Sequence, residues 1–405
     1  MRPFASLVVL LFAATMGGCA SLGASGNGGT DSDWLGTWGT AVQLTEPRNL
    51  PPVALGGTTL RQVVRPSVGG DRVRLHLSNR FGDAPIVIGA VRLAASLGEG
   101  AIDPATDAAL SFGGRPGVTI PPGGSVVSDP LDYDLPPRTD LAVTMHVEAI
   151  SDSVVTGHPG SRTTSYIVAG DAVSAAALPE AERTDHWYGI EGLDVERDGA
   201  AVAILGDSIT DGRGSTTNAQ NRWPDVLAAR LGANPATEDV AVLNMGIGGN
   251  CVLRACLGPA ALDRFDRDVL ERAGVEWLVI LEGVNDIGGS APDESAQVAQ
   301  DLIAAYGTMI DRAHAAGIRV YGATITPFGG SFYDSPEHEA ARQTVNAWIR
   351  TSGAFDAVID LDAAIQNPDA PTTLLPAADD GDGLHPSVAG HRMMAEAVDL
   401  DLFTD

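Results

Sequence analysis

The chain has 405 residues, 44% of them apolar and 19% charged, which is the composition of a globular protein long enough for two domains. Its formal net charge of -27 opposes phosphate backbones and argues against nucleic acid as a partner; solubility accounts for the charge better than a specific cationic ligand does. Every basic residue is an arginine, which excludes Ser–Lys dyads, Schiff-base lysines and phosphate-loop lysines.

In chain order, Arg2 precedes the apolar run "FASLVVLLFAATM", which has signal-peptide length and is too short to span a bilayer. "MGGCAS" follows. Small residues before Cys19 read as a lipoprotein cleavage site over residues 1–19, with ordinary signal cleavage nearby as the alternative. Residues 20–33, rich in Gly and Ser, read as a flexible tether. The expected location is the bacterial cell envelope through a lipid on Cys19, or a secreted or periplasmic form without it. Three cysteines are an odd number for an exported chain. With Cys19 lipidated, Cys251 and Cys256 remain as a candidate disulfide; two small buried residues that never meet is the other reading. No metal-binding spacing occurs, and neither metal nor cofactor is expected.

Residues 34–198 carry period-two alternation. In "DRVRLHLSN", Val73, Leu75 and Leu77 alternate with polar neighbours, and "DLAVTMHVEA" repeats the pattern. Turn residues such as "VGGD", "RFGDAP" and "PPGG" separate the runs. The segment reads as an antiparallel β-sandwich, with His76 and His146 on the outer phase of their strands.

Residues 199–405 differ. "AVAIL", "VAVLN", "EWLVILEG" and "IRVYGATIT" are compact apolar runs, as in strands buried on both faces. Helical stretches lie between them; Val298, Leu302, Tyr306, Ile310 and Ala313 recur three or four apart. The alternation predicts a three-layer α/β domain with a parallel sheet, and its ligands sit at the carboxyl ends of strands.

Three polar turns fall at such ends. "GDSITDG" brings Ser208 out where a strand gives way to a helix. "MGIGGN" offers the N–H of Gly249 with no side chain in the way. "LEGVND" offers the Asn285 amide. Downstream, "DGDGLHPS" sets Asp382 three residues before His385, a spacing that lets a carboxylate orient an imidazole. Asp379 and Asp380 compete for that role. His391, in the helical run that follows, is expected at the surface, as is His338. Asp207 and Asp286 are expected to brace their turns. Phe328, Phe332 and Tyr333, in "TPFGGSFYDSPEHEA", are candidates either for an acyl wall or for a packed loop core.

These four blocks, in this order, resemble those of the SGNH, or GDSL-type, hydrolases. The resemblance covers roughly residue 200 to the end. It implies a flavodoxin-like fold and a metal-free serine esterase, with Ser208 as nucleophile, His385 as base and Asp382 as its orienting partner. Ser208, Gly249 and Asn285 then form the oxyanion hole. "WLGTWGTA" and "LRQVVRPSVGG" resemble an N-terminal sandwich region that some bacterial members carry. The expected substrates are short-chain or acetyl esters of small molecules, polysaccharides or lipids. The alternatives are a lipase, phospholipase or thioesterase acting on longer chains, and a carbohydrate-binding protein whose hydrolase domain has been retired.

Overall fold

The computed structural model describes residues 34–404; Cys19 and the leader lie outside them. Two antiparallel sheets make up the first half. One runs Trp34–Gly39, Ile190–Glu196, Gly70–Ser78 and Leu131–Leu135, with Ser125–Val127 also paired to Gly70–Ser78. The other is centred on Thr58–Val64, Leu141–Ala149 and Ile86–Gly98. Val73, Leu75 and Leu77 point into the core between them, alongside Leu60, Val143, Met145 and Leu193. The alternate residues face outward, but not freely. His76 is half-buried with Nε2 2.7 Å from an Asp194 carboxylate oxygen, and His146 is half-buried as well. The sheet's second face is covered where Arg61, fully buried, donates to Thr144 Oγ1 and to the carbonyls of Gly100 and Ala175.

The second half holds five parallel strands: β1 (Ala200–Gly206), β2 (Val240–Gly246), β3 (Val275–Leu281), β4 (Arg319–Ala323) and β5 (Ala357–Ile359). Their order is β2-β1-β3-β4-β5, the flavodoxin arrangement, and the order reverses beside β1. Helix α5 (Ser295–Ala315) buries Leu302, Tyr306, Ile310 and Ala313 on one stripe, as its spacing predicts. At the β2 edge the layering differs from a plain three-layer domain. Val240 and Val242 belong to the helix-covered core, whereas Ala241, Leu243 and Met245 belong to the sandwich core. Successive strand residues point to opposite faces, so β2 is gripped between helices and the antiparallel half. Two glycines permit the approach. A Cβ on Gly36 would stand 3.1 Å from Leu243, and one on Gly39 only 2.5 Å from the Met245 methyl.

One buried arginine ties the strand ends together. Arg264 lies in α3 (Ala261–Phe265) and is fully buried. It donates to the carbonyls of Gly206 and Met245, the ends of β1 and β2, at 3.1 and 2.7 Å. It also reaches Asn250 Oδ1, Asp268 and, just beyond β3, Glu282 at 3.2 Å. Burial and the neighbouring Asp207 push the Glu282 carboxyl well above its usual range.

His391, expected at the surface, is fully buried in α8 (Val388–Glu396). Its Nε2 donates to the Arg213 carbonyl at 3.0 Å, and its Nδ1 accepts the Trp223 N–H at 3.3 Å. His338 is also buried, its ring between the carbonyls of Tyr333 and Ser290. Both residues share the inward stripe of their helices, with His391 three and four residues from the buried Met394 and Ala395.

Two predictions follow from these buried groups. Arg264→Leu leaves Asp268, Glu282 and two carbonyls short of their donor, and should cost about 3–5 kcal/mol in urea denaturation. Burial depresses the His391 pKa to about 4. The unfolded chain therefore takes the proton first, and the stability present at pH 7 is lost as pH falls from about 6.5 toward about 4. Between pH 7 and pH 5 that loss is about 2 kcal/mol, and it should be absent in His391→Gln.

Candidate active site

The carboxyl ends of β1, β2 and β3 open into a cleft of about 430 Å³. After β1 the chain turns at Asp207, whose carboxylate accepts the Ile209 N–H at 2.9 Å and starts the single turn α1 (Ser208–Asp211). Burial, with Asp286 and Asp211 nearby, holds the Asp207 carboxyl above its usual range. Gly212 ends the turn at φ 108, and a Cβ there would collide with Arg222. This tight turn presents Ser208 to the cleft.

Ser208 Oγ lies 2.9 Å from His385 Nε2. His385 Nδ1 lies 2.7 Å from one Asp382 oxygen, and the other oxygen accepts the backbone N–H groups of Leu384 and His385 at 3.0 and 2.8 Å. The aspartate is thus fixed before it fixes the imidazole. Asp379 instead accepts the N–H groups of Gly381 and Gly383 and shapes the loop. Burial lowers the His385 pKa, the Asp382 hydrogen bond opposes this, and the charges of Arg213 and Arg162 lower it further. The base is therefore neutral, and able to take a proton, at neutral pH.

Three donors belong to residues that line the same cleft, Ser208, Gly249 and Asn285. The N–H of Ser208 and that of Gly249 have no acceptor among the described residues. Gly249 sits at φ +72, with Leu257 packed 2.8 Å from where a Cβ would be. Asn285, in α4 (Val284–Gly288), is held from both ends of its amide. One N–H donates to the Asn250 carbonyl at 2.8 Å, and the Tyr333 hydroxyl donates to its Oδ1 at 3.0 Å. The second N–H remains for a ligand. Asp286 accepts the N–H groups of Val252 and Leu253, which braces the glycine-bearing loop. Cys251 and Cys256 are bonded within that loop.

The aromatic loop splits in two. Phe328 is fully buried away from the cleft, while Phe332 and Tyr333 line it. The sequence carries no sign of Tyr333 as a partner of Asn285, nor of the buried anchors Asn250 and Arg264. It also carries no sign of His158, which reaches from the antiparallel half to Asp211 at 2.9 Å and stacks on Trp187. That contact places the segment Pro159–Arg162 along the cleft wall. Among the described residues, no group of three or more His, Cys, Asp or Glu is placed to hold a metal ion.

The family model described as the GDSL-like lipase/acylhydrolase family matches residues 204–393, just under half of the chain. No curated protein matches. Among solved structures, the chain is similar to a putative lipolytic protein of the G-D-S-L family from Desulfitobacterium hafniense, at 21% identity over 49% of this chain and 97% of that one, with a TM-score of 0.38. It is also similar to a putative acylhydrolase from Bacteroides fragilis, at 21% identity over 49% and 83%, with a TM-score of 0.35. A catalytic mutant of an acetylxylan esterase from Geobacillus stearothermophilus is 22% identical over 49% and 93%, with a TM-score of 0.39. The match covers the turns that carry Ser208, Gly249, Asn285, Asp382 and His385, and the chain is an ester-hydrolysing enzyme whose residues 204–393 are similar to the GDSL-like lipase/acylhydrolase family.

Proposed function

We propose that the protein hydrolyses short-chain esters, acetyl esters first, through an acyl-enzyme on Ser208. The observation that carries this reading is the unbroken hydrogen-bonded path from Asp382 through His385 to Ser208 Oγ, with three donors beside it. Ser208 Oγ attacks the ester carbonyl carbon while His385 Nε2 takes its proton. The carbonyl oxygen becomes an oxyanion between the N–H groups of Ser208 and Gly249 and the Asn285 amide. His385 then returns the proton to the alkoxy oxygen, and the alcohol leaves. Water repeats the sequence on the acyl-enzyme and releases the acid.

The cleft favours small acyl groups. Its lining mixes Gln43, Asn49 and three arginines with only a few apolar side chains, and Phe332 at the rim is 74% exposed. A long acyl chain would lie against polar groups and water there. The intact path also disfavours a retired hydrolase that only binds carbohydrate. We further propose export and lipidation at Cys19, which mass spectrometry of the mature N-terminus would test; a chain without a lipid on Cys19 would refute it.

Hydrolysis of p-nitrophenyl esters should peak at acetate or butyrate and vanish in Ser208→Ala. A peak at palmitate would refute the short-chain reading, and activity surviving in the variant would refute the nucleophile. Removal of one oxyanion donor costs about 2.7–4 kcal/mol of barrier, so Asn285→Ala should lower kcat about a hundredfold or more while the protein stays folded.

A further inference from the structure

In a chain of net charge -27, arginines are expected to find carboxylates, and most of them do. Arg48, Arg162 and Arg213 are exceptions: none makes an ion pair or side-chain hydrogen bond among the described residues, and all three line the cleft that holds Ser208. The two carboxylates that share the cleft are already engaged. Glu46 accepts from Gln43 and Asn49, and Asp211 from His158.

Arg162 is the most informative of the three. Its Nε is buried and has no hydrogen-bond partner among the described residues. Its backbone is held at φ 51, in the left-handed region that a bulky side chain avoids. The Asn218 N–H fastens its carbonyl at 2.9 Å. Arg213 follows the nucleophile turn directly, and the buried His391 grips its carbonyl. The two side chains thus come from opposite halves of the molecule and meet over one cleft. Both line the same cleft as His385, and their charges lower its pKa. His385 is the group that must protonate the departing alcohol.

We propose that Arg162 and Arg213, with Arg48 on the same cleft, form an anion subsite for the alcohol portion of the substrate, so that the enzyme deacylates esters of alcohols bearing a carboxylate or another oxyanion. The inference rests on the hydrolytic reading of Ser208 given above. A planar guanidinium binds a carboxylate with two parallel hydrogen bonds, and it needs no metal to do so. The subsite would also work against the repulsion that so acidic a protein exerts on anionic substrates.

A matched pair of acetyl esters tests this with the full-length protein: 4-acetoxybenzoate, whose leaving group carries a carboxylate, and its neutral methyl ester. The readout is the ratio of their kcat/KM values at one pH, in which changes to His385 titration cancel. The ratio should fall about fivefold or more in Arg213→Gln, and further when Arg162→Gly is added. Glycine suits the left-handed backbone at position 162, so the second variant relieves strain. A ratio unchanged in both variants would overturn the subsite. Loss of both hydrolyses, or hydrolysis that persists in Ser208→Ala, would instead overturn the reading on which it rests.

Discussion

The site depends on one guanidinium that no solvent reaches. The ladder pairs β1 with β2 and β3 as far as their last residues, and the turns beyond need a further tie. Arg264 supplies it, by donating to carbonyls at or next to the ends of two strands and to the turn beyond a third. Asn250 extends the same network: it receives Arg264 on its side chain and Asn285 on its carbonyl. Asn285, an oxyanion donor in the proposed mechanism, is therefore tied to the ends of β1 and β2 by a chain of hydrogen bonds. Such a network costs much to bury and little to keep, because every donor of the arginine is used.

Acidic groups crowd around this arginine. Asp207, Glu282 and Asp286 each sit where burial holds the carboxyl above its usual range. Each has a mechanical task as well: Asp207 caps the nucleophile turn, Glu282 closes the arginine's circle and Asp286 hangs the glycine loop. Their chemistry is spent on geometry, and the proposed mechanism leaves proton transfer to His385.

Much of this could be read in advance. Period-two runs and compact apolar runs separated the two kinds of sheet, and four short blocks singled out Ser208, Gly249, Asn285, Asp382 and His385. What escaped was whatever depends on the approach of distant segments. Arg264 sits in "ALDRFDRD", which reads as a solvated helix until the sheet is folded over it. Tyr333 and Asn285 are 48 residues apart with no periodic link between them. The positions of His391 and His338 were available in principle, since each falls on the apolar stripe of its own helix. In both helices that periodicity overrides the preference of histidine for surfaces. Nothing in the alternation of the first half foretold that its core would continue onto β2.

That continuity separates two tasks that a single domain would have to perform with the same residues. The strand ends of the second half carry Ser208, Gly249 and Asn285 into the cleft. Much of the opposing wall, from Gln43 to Asn49 and from Pro159 to Arg162, is supplied by the first half. Substitutions in those segments can recolour the entrance without disturbing Arg264 or the turns it fixes. A lineage could therefore change what it cleaves while keeping how it cleaves, with the His158–Asp211 contact as the fixed hinge pin between an inherited engine and an exchangeable mouth.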